Sequence, residues 1–247
     1  MGTIFKAQHP TFGTKNSRQS LSYQQRSPYY WWWEFLRRNE KYLECCRNGG
    51  NGELSELYQS FGVVLNDNFK EWWTKDGRGF RLFAEEPQAQ RMKKLNSPSE
   101  WNEKWTDDNV LVVVAPLSMT SKELKATFSK MLKKWHKGVR GRKSLNDVGA
   151  STAKFPLHRY VSIHTLRKQL AVYDAVIANK SADKKLTLAQ IGKKLKLVED
   201  AMPLATDDKN TAEDKRNVMT SSVSRYYREA SRIIANTSKG KFPNSGK

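Results

Sequence analysis

Between Arg216 and Arg228 the chain sets three guanidinium groups among small hydroxyls and one amide: Arg216, Asn217, Thr220, Ser221, Ser222, Ser224, Arg225 and Arg228. Arginine forks reach guanine edges or phosphate oxygens, and serine and threonine let a helix approach a groove closely. The chemistry on offer is nucleic-acid recognition. A second cationic run covers Lys122 to Lys143. In it Lys130, Lys133, Lys134 and Lys137 share one helical face, with Arg140, Arg142 and Lys143 in a Gly-, Ser- and Arg-rich stretch beyond. Such a face can track a phosphate backbone, or can simply be solvated.

These residues need helices to carry them. Val223, Tyr227, Ala230 and Ile234 recur at helical spacing and predict an amphipathic helix over Arg216–Asn236. Before it, Thr187 reads as the N-cap of a short helix ending near Leu195. Its inward residues are Leu188, Ile191 and Leu195, Ala189 is small where a partner helix would cross, and Lys193 and Lys194 add charge. The pair reads as a helix-turn-helix with a long connection. The usual turn takes three or four residues, whereas Val198 to Lys215 intervenes here, acidic at Glu199, Asp200, Asp207, Asp208, Glu213 and Asp214. That segment is either a loop inserted in the turn or a sign of an ordinary bundle with a solvated basic face.

Composition supports a polyanionic partner. The net charge is +19 and the pI about 9.9. Residues 1–121 carry 16 Lys and Arg against 14 Asp and Glu, whereas residues 151–247 carry 19 against 9. All eight tryptophans lie in the first 135 residues. The asymmetry predicts a flexible arm over 1–27, an aromatic-rich helical region over 28–154 and a helix-turn-helix region over 155–247. The predicted class is mainly α with a minor β element. Ser27-Pro28 starts a helix running to about Arg47, and one exposed ring is expected among Trp31, Trp32 and Trp33. Phe80–Phe83 reads as a short strand, and Val110–Ala115 as a buried one. Leu124, Phe128, Met131, Leu132 and Trp135 make the stripe of a helix from Ser121 to His136, and Leu166, Leu170, Tyr173 and Ile177 that of one over Thr165–Asn179.

Other chemistries find little footing. Adjacent Cys45 and Cys46 suit neither a disulfide nor a zinc site, and read as reduced thiols. His9, His136, His158 and His164 lack partners at ligand or triad spacing. Asp107 or Asp108 with Glu123 and Lys125 has the residue types of a metal-dependent nuclease, but Glu123 starts a helix. No cofactor, catalytic residue or metal ligand is expected. Neither a signal peptide nor a membrane-spanning run is visible, so the expected location is the cytoplasm.

Trp33-Glu34-Phe35-Leu36-Arg37-Arg38-Asn39-Glu40-Lys41-Tyr42 resembles the W-E-x-L-R-R-N-x-x-Y stretch of a small transcriptional-regulator-like domain of proteobacterial mobile-element proteins. Val223–Tyr226, Ile234–Asn236 and Gly240–Pro243 are similar to the ends of such proteins. The resemblance implies regulation and carries no specific activity. Together these readings make the chain a non-enzymatic binder of nucleic acid, duplex DNA above all. It would be a transcriptional regulator or mobile-element accessory factor. The alternative is a protein-interaction or assembly subunit, a homo-oligomer included, using the tryptophan-rich half.

Overall fold

The computed structural model describes residues 5–12, 21–85, 94–101, 111–135, 151–160 and 162–246. It is mainly helical, as the periodicities require. The helices are α1 (Leu21–Gln24), α2 (Pro28–Leu36), α3 (Glu40–Arg47), α4 (Ser55–Phe61), α5 (Phe69–Thr74), α6 (Arg78–Phe83), α7 (Ser121–Trp135), α8 (Ile163–Lys180), α9 (Leu188–Lys194) and α10 (Lys209–Thr237). Among the described residues the β structure is slight, with a parallel bridge between Leu157 and Phe242. The chain forms two compact units, one of residues 87–144 and one of 2–86 with 145–247.

The larger unit is organised by α2. Ser27 caps it, accepting from the Tyr29 amide at 3.3 Å, and Pro28 fills the first helical position, where no amide is needed. The single helix expected to reach Arg47 is instead two. Asn39 leaves helical geometry and its Oδ1 caps α3 through the Tyr42 amide at 3.1 Å. An asparagine side chain satisfies an orphan amide better at a helix start than inside one. Nor does one indole of the triplet face solvent: Trp31, Trp32 and Trp33 are all at most 5% exposed. Successive positions turn by about 100°, so three consecutive rings cover more than half the helix circumference. A helix apolar on nearly every side must be central, and α2 is.

Around it Phe61, Phe69, Trp72, Trp73, Leu82 and Phe83 close one side of the core, and Leu166, Leu170, Ala230, Ile233, Ile234 and Phe242 the other. The expected boundary at 154/155 therefore runs through this core. Trp32 meets Phe242 at 5.3 Å between ring centroids, and Phe35 meets it at 5.5 Å. The described part of the expected arm is also packed, with Phe5 against Tyr29, Trp73 and Phe80 and Phe12 against Phe69. Phe80–Phe83 is helical, not a strand. Gly77, at φ +63°, turns the chain into α6, which carries Leu82 and Phe83 inward and leaves Phe80 half-exposed.

Within the larger unit, Leu82 and Glu85 are stitched to Ser151, Thr152 and Phe155. The Glu85 carboxylate accepts from the Ser151 hydroxyl at 2.5 Å and from the Thr152 amide at 2.7 Å, and the Phe155 amide donates to the Leu82 carbonyl. Burial alone would raise the Glu85 carboxyl, but these hydrogen bonds outweigh it and hold it below its ordinary value near 4.5. A depressed carboxyl contributes stability that is present above its unfolded-state value and lost as pH falls through the folded one. Glu85→Gln is therefore expected to destabilise at neutral pH and to flatten the loss of melting temperature below about pH 4.5. Parallel pH–melting curves for the variant and the parent chain would show the clasp to be unimportant.

Within residues 87–144 no described residue is buried. Leu111–Pro116 forms no strand, and Val114 is 90% exposed. A strand exists only through the partner that takes its backbone donors and acceptors, and no described segment pairs with this one. Val110 lies outside the described residues. The helix expected over 121–136 forms as α7. Thr120 and Glu123 cap it reciprocally: the Glu123 amide donates to the Thr120 hydroxyl oxygen, and the Thr120 amide donates to the Glu123 carboxylate.

Candidate nucleic-acid interface

Three helices of the larger unit build the second core. Val172 and Val176 of α8, Ile191 of α9, Leu197 and Ala201 beyond it, and Met219 and Val223 of α10 are buried together. Thr187 and Gln190 form a complete capping box at the start of α9. The close crossing is made by Gly192 and not by Ala189. A Cβ at Gly192 would stand 2.5 Å from Met219 Cγ and 2.9 Å from Val223 Cγ2. Gly192→Ala is expected to cost about 1–3 kcal/mol by overpacking, or roughly 2–12 °C of melting temperature. An unchanged melt would mean that α9 does not lie against α10.

The connection from α9 to α10 is shorter than Val198 to Lys215. Lys196 adopts a left-handed φ of 47°, and the Leu197 amide returns to the Gly192 carbonyl at 3.0 Å, closing α9 with a Schellman-type turn that drops Leu197 into the core. A short 3-10 turn at Glu199–Ala201 buries Ala201. α10 then begins at Lys209, so Glu213, Asp214 and Lys215 belong to the helix. Asp208 caps it through the Thr211 amide at 2.7 Å, and Asp207 pairs with Lys215 at 2.6 Å. Of the acidic residues, Asp208 caps a helix of 29 residues, where negative charge suits the amide end, and Glu213 and Asp214 lie within it, while Glu199 and Asp200 belong to the 3-10 turn. The connection still exceeds a short turn, and α8, α9 and α10 pack as a three-helix arrangement.

On α10 the predicted residues separate by angle. Met219, Val223, Ala230 and Ile234 are buried, while Tyr227 is half-buried, stacked on Tyr173 at 5.7 Å and hydrogen-bonded by Lys180 Nζ. Arg225 and Arg228 are exposed, with Ser221 a turn before them and Asn217 and Ser224 to one side. Arg232, which the sequence reading did not single out, is also exposed and continues the row. Its i+4 spacing from Arg228 was the available signal. Arg216 lies about 180° around the helix from Arg225, so the two do not share a face. Thr220 is half-buried and donates to the Arg216 carbonyl, and Ser222 is half-buried. Ser221, Arg225 and Arg228 are the part of the predicted set that the fold brings into one row, and Arg232 extends it. Asp214 stands on the same face about 16 Å earlier along the axis, so the positive stripe belongs to the middle of the helix, not its first turn.

Four described cations are held in ion pairs, and the described ones of the predicted set, like most of the rest, are not. Among the described residues, Arg225, Arg228, Arg232, Arg216, Lys193 and Lys194 make no ion pair, whereas Arg37, Arg38, Arg47 and Lys215 do. Arg38 is structural. Its Nε and Nη2 grip Asp174 of α8 at 2.9 and 2.7 Å, and Nη1 contacts Glu34. Asn39 Nδ2 donates to the Ile234 carbonyl of α10 at 2.6 Å. Arg37 lies over the Trp33 ring. The stretch Trp33–Tyr42 is thus a corner that fastens α2 and α3 to α8 and α10.

On α7, Lys122, Lys125, Lys130, Lys133 and Lys134 are exposed, Leu124, Phe128, Met131 and Leu132 are half-buried, and Trp135 is 60% exposed. Lys137, Arg140, Arg142 and Lys143 lie outside the described residues, as do Asp107, Asp108 and Trp105. Glu123 is held in its helix cap, and no described group of three His, Cys, Asp or Glu side chains can hold a metal ion. Cys45 and Cys46 are free thiols, and both are buried. The rings of Trp31–Trp33, Trp72 and Trp73 face the core, which leaves a partner-binding surface in residues 28–85 without its tryptophans. No described helix is long and apolar enough to cross a membrane. No family model, curated protein or solved structure matches this chain.

Proposed function

We propose that this protein binds nucleic acid, duplex DNA in particular, without catalysing a reaction on it. The observation that carries the reading is the row of exposed arginines on α10, Arg225, Arg228 and Arg232, none paired with a carboxylate among the described residues. A cation already paired with a carboxylate gains little from a phosphate, whereas an unpaired one displaces condensed counterions. Ser221 and Ser224 beside the row keep the helix surface low, so that Arg225 and Arg228 reach either phosphates or base edges. Lys193 and Lys194 at the end of α9 supply further phosphate contacts, and the lysine face of α7, in the other unit, is a phosphate-binding surface by itself. The likeness of Trp33–Tyr42 to regulator-like domains of mobile elements supports a regulatory or accessory role, and we place the protein in the cytoplasm.

Salt titration is the direct test. Affinity for a duplex should fall with log salt at a slope of about −0.9 for each phosphate contacted. A flat response, or no binding at 50 mM salt, removes the proposal.

A further inference from the structure

A cavity of about 200 Å³ opens between α4, the turn after it and α6, lined in part by Tyr58, Gly62, Asn66, Glu71, Lys75 and Arg78. Its most unusual member is Arg78, a guanidinium only 8% exposed. Nη1 donates to the Trp72 carbonyl at 3.2 Å, and the group lies over the Trp72 ring. Nε is buried without a protein acceptor, Nη2 has none among the described residues, and no described carboxylate pairs with the group.

Two nearby carbonyls accept from other donors and not from Arg78. The Phe61 carbonyl receives Trp72 Nε1–H at 2.7 Å, and the Gly62 carbonyl receives the Tyr42 hydroxyl at 2.8 Å. Glu71 faces the cavity, but its carboxylate accepts from Asn68 Nδ2 and not from Arg78. Gly62 makes the space: at φ +63° it needs glycine, and a Cβ there would lie 2.7 Å from Arg78 Nη2.

A buried charge without a partner is costly, and a cavity that supplies one relieves the cost. We propose that this cavity binds one compact oxyanion, a phosphate or carboxylate group. Arg78 Nη2 and Lys75 would supply the charge, with Asn66 and Tyr58 as neutral donors. At about 30 Å³ per water the space holds several waters or one such group. Desolvation also lowers the pKa of Arg78, the direction expected of a cation awaiting its counter-ion. The inference is independent of the α10 row, which lies on a different element.

The test is a set of thermal melts of the full chain in inorganic phosphate, in acetate and in chloride at matched ionic strength. Phosphate or acetate should raise the melting temperature saturably, by roughly 5–10 °C at a hundredfold excess over Kd. A response to phosphate alone identifies a phosphate ligand, and one to acetate alone a carboxylate. In Arg78→Met the saturable rise should vanish. Should that variant not fold, Lys75→Ala and Asn66→Ala, both at exposed positions, should each move the midpoint several-fold higher. Identical melts in the three salts would overturn the proposal, as would variants that keep the full response.

Discussion

Residues 155–247 produced alone are expected not to fold. In the whole chain Leu166, Leu170, Ile233, Ile234 and Phe242 are each at most 6% exposed, and much of their cover comes from α2 to α6. Leaving such a side chain in water forfeits about 1.5–3 kcal/mol. Five of them approach or exceed the whole stability of an ordinary domain, about 5–15 kcal/mol. The backbone is tied as well, since Asn39 Nδ2 holds the Ile234 carbonyl. A milder form of the same experiment is Trp32→Ala. Trp32 is fully buried against Phe61, Phe83, Phe155 and Phe242. The expected cost is about 3–5 kcal/mol, a fall of roughly 6–20 °C in melting temperature. By contrast, excising residues 87–144 and joining the ends with a short Gly/Ser linker should leave a cooperative melt, because Glu85 already meets Ser151 and Thr152. Circular dichroism and calorimetry of the three proteins decide it. A fragment 155–247 that melts cooperatively would show that the second core suffices without the first.

Replacing Arg225, Arg228 and Arg232 together by glutamine is expected to weaken duplex binding strongly and to leave the fold unchanged. All three side chains are exposed and make no ion pair among the described residues, so their loss removes little packing beyond the contact of Arg225 with the Tyr226 ring at 5.2 Å. If each contacts one phosphate, the salt slope should fall by about 2.7, and affinity at ~0.1 M salt by about 500-fold. Arg216→Gln, on the other side of the helix, should change the slope far less. Lys215→Gln, whose charge is already matched by Asp207, should leave the slope as it is. Single variants then separate the contacts: an arginine that reads a base edge costs about 1–3 kcal/mol on a preferred site and relaxes preference there. If the triple variant binds as tightly as the parent chain with the same slope, the α10 row is not the interface.

The local periodicities determined much of this protein by themselves. α7, the span of α8, the capped start of α9 and the inward stripe of α10 through Val223, Ala230 and Ile234 follow from apolar spacing and from Thr187 and Ser27 as caps, but on α8 Val172 and Val176 turn inward and Ile177, expected there, is 39% exposed. These depend on contacts within a few turns of one helix, which sequence neighbours dictate. What the chain does at long range was decided by the tertiary structure. The Val110–Ala115 run has strand propensity, but a strand is completed by a partner, and none of the described residues provides one. Arg37 and Arg38 carry the same charge as Arg225 and Arg228. Only the approach of α8, with Asp174 136 residues away from Arg38, turns one of them into a clamp. The three indoles of α2 are all buried because a different element closes over each, Phe242 over Trp32, Phe69 and Trp72 of α5 over Trp33, and Arg167 of α8 over Trp31. Charge and spacing can mark a residue as able to bind. Whether it is free to do so depends on which distant carboxylate or ring the fold sets against it.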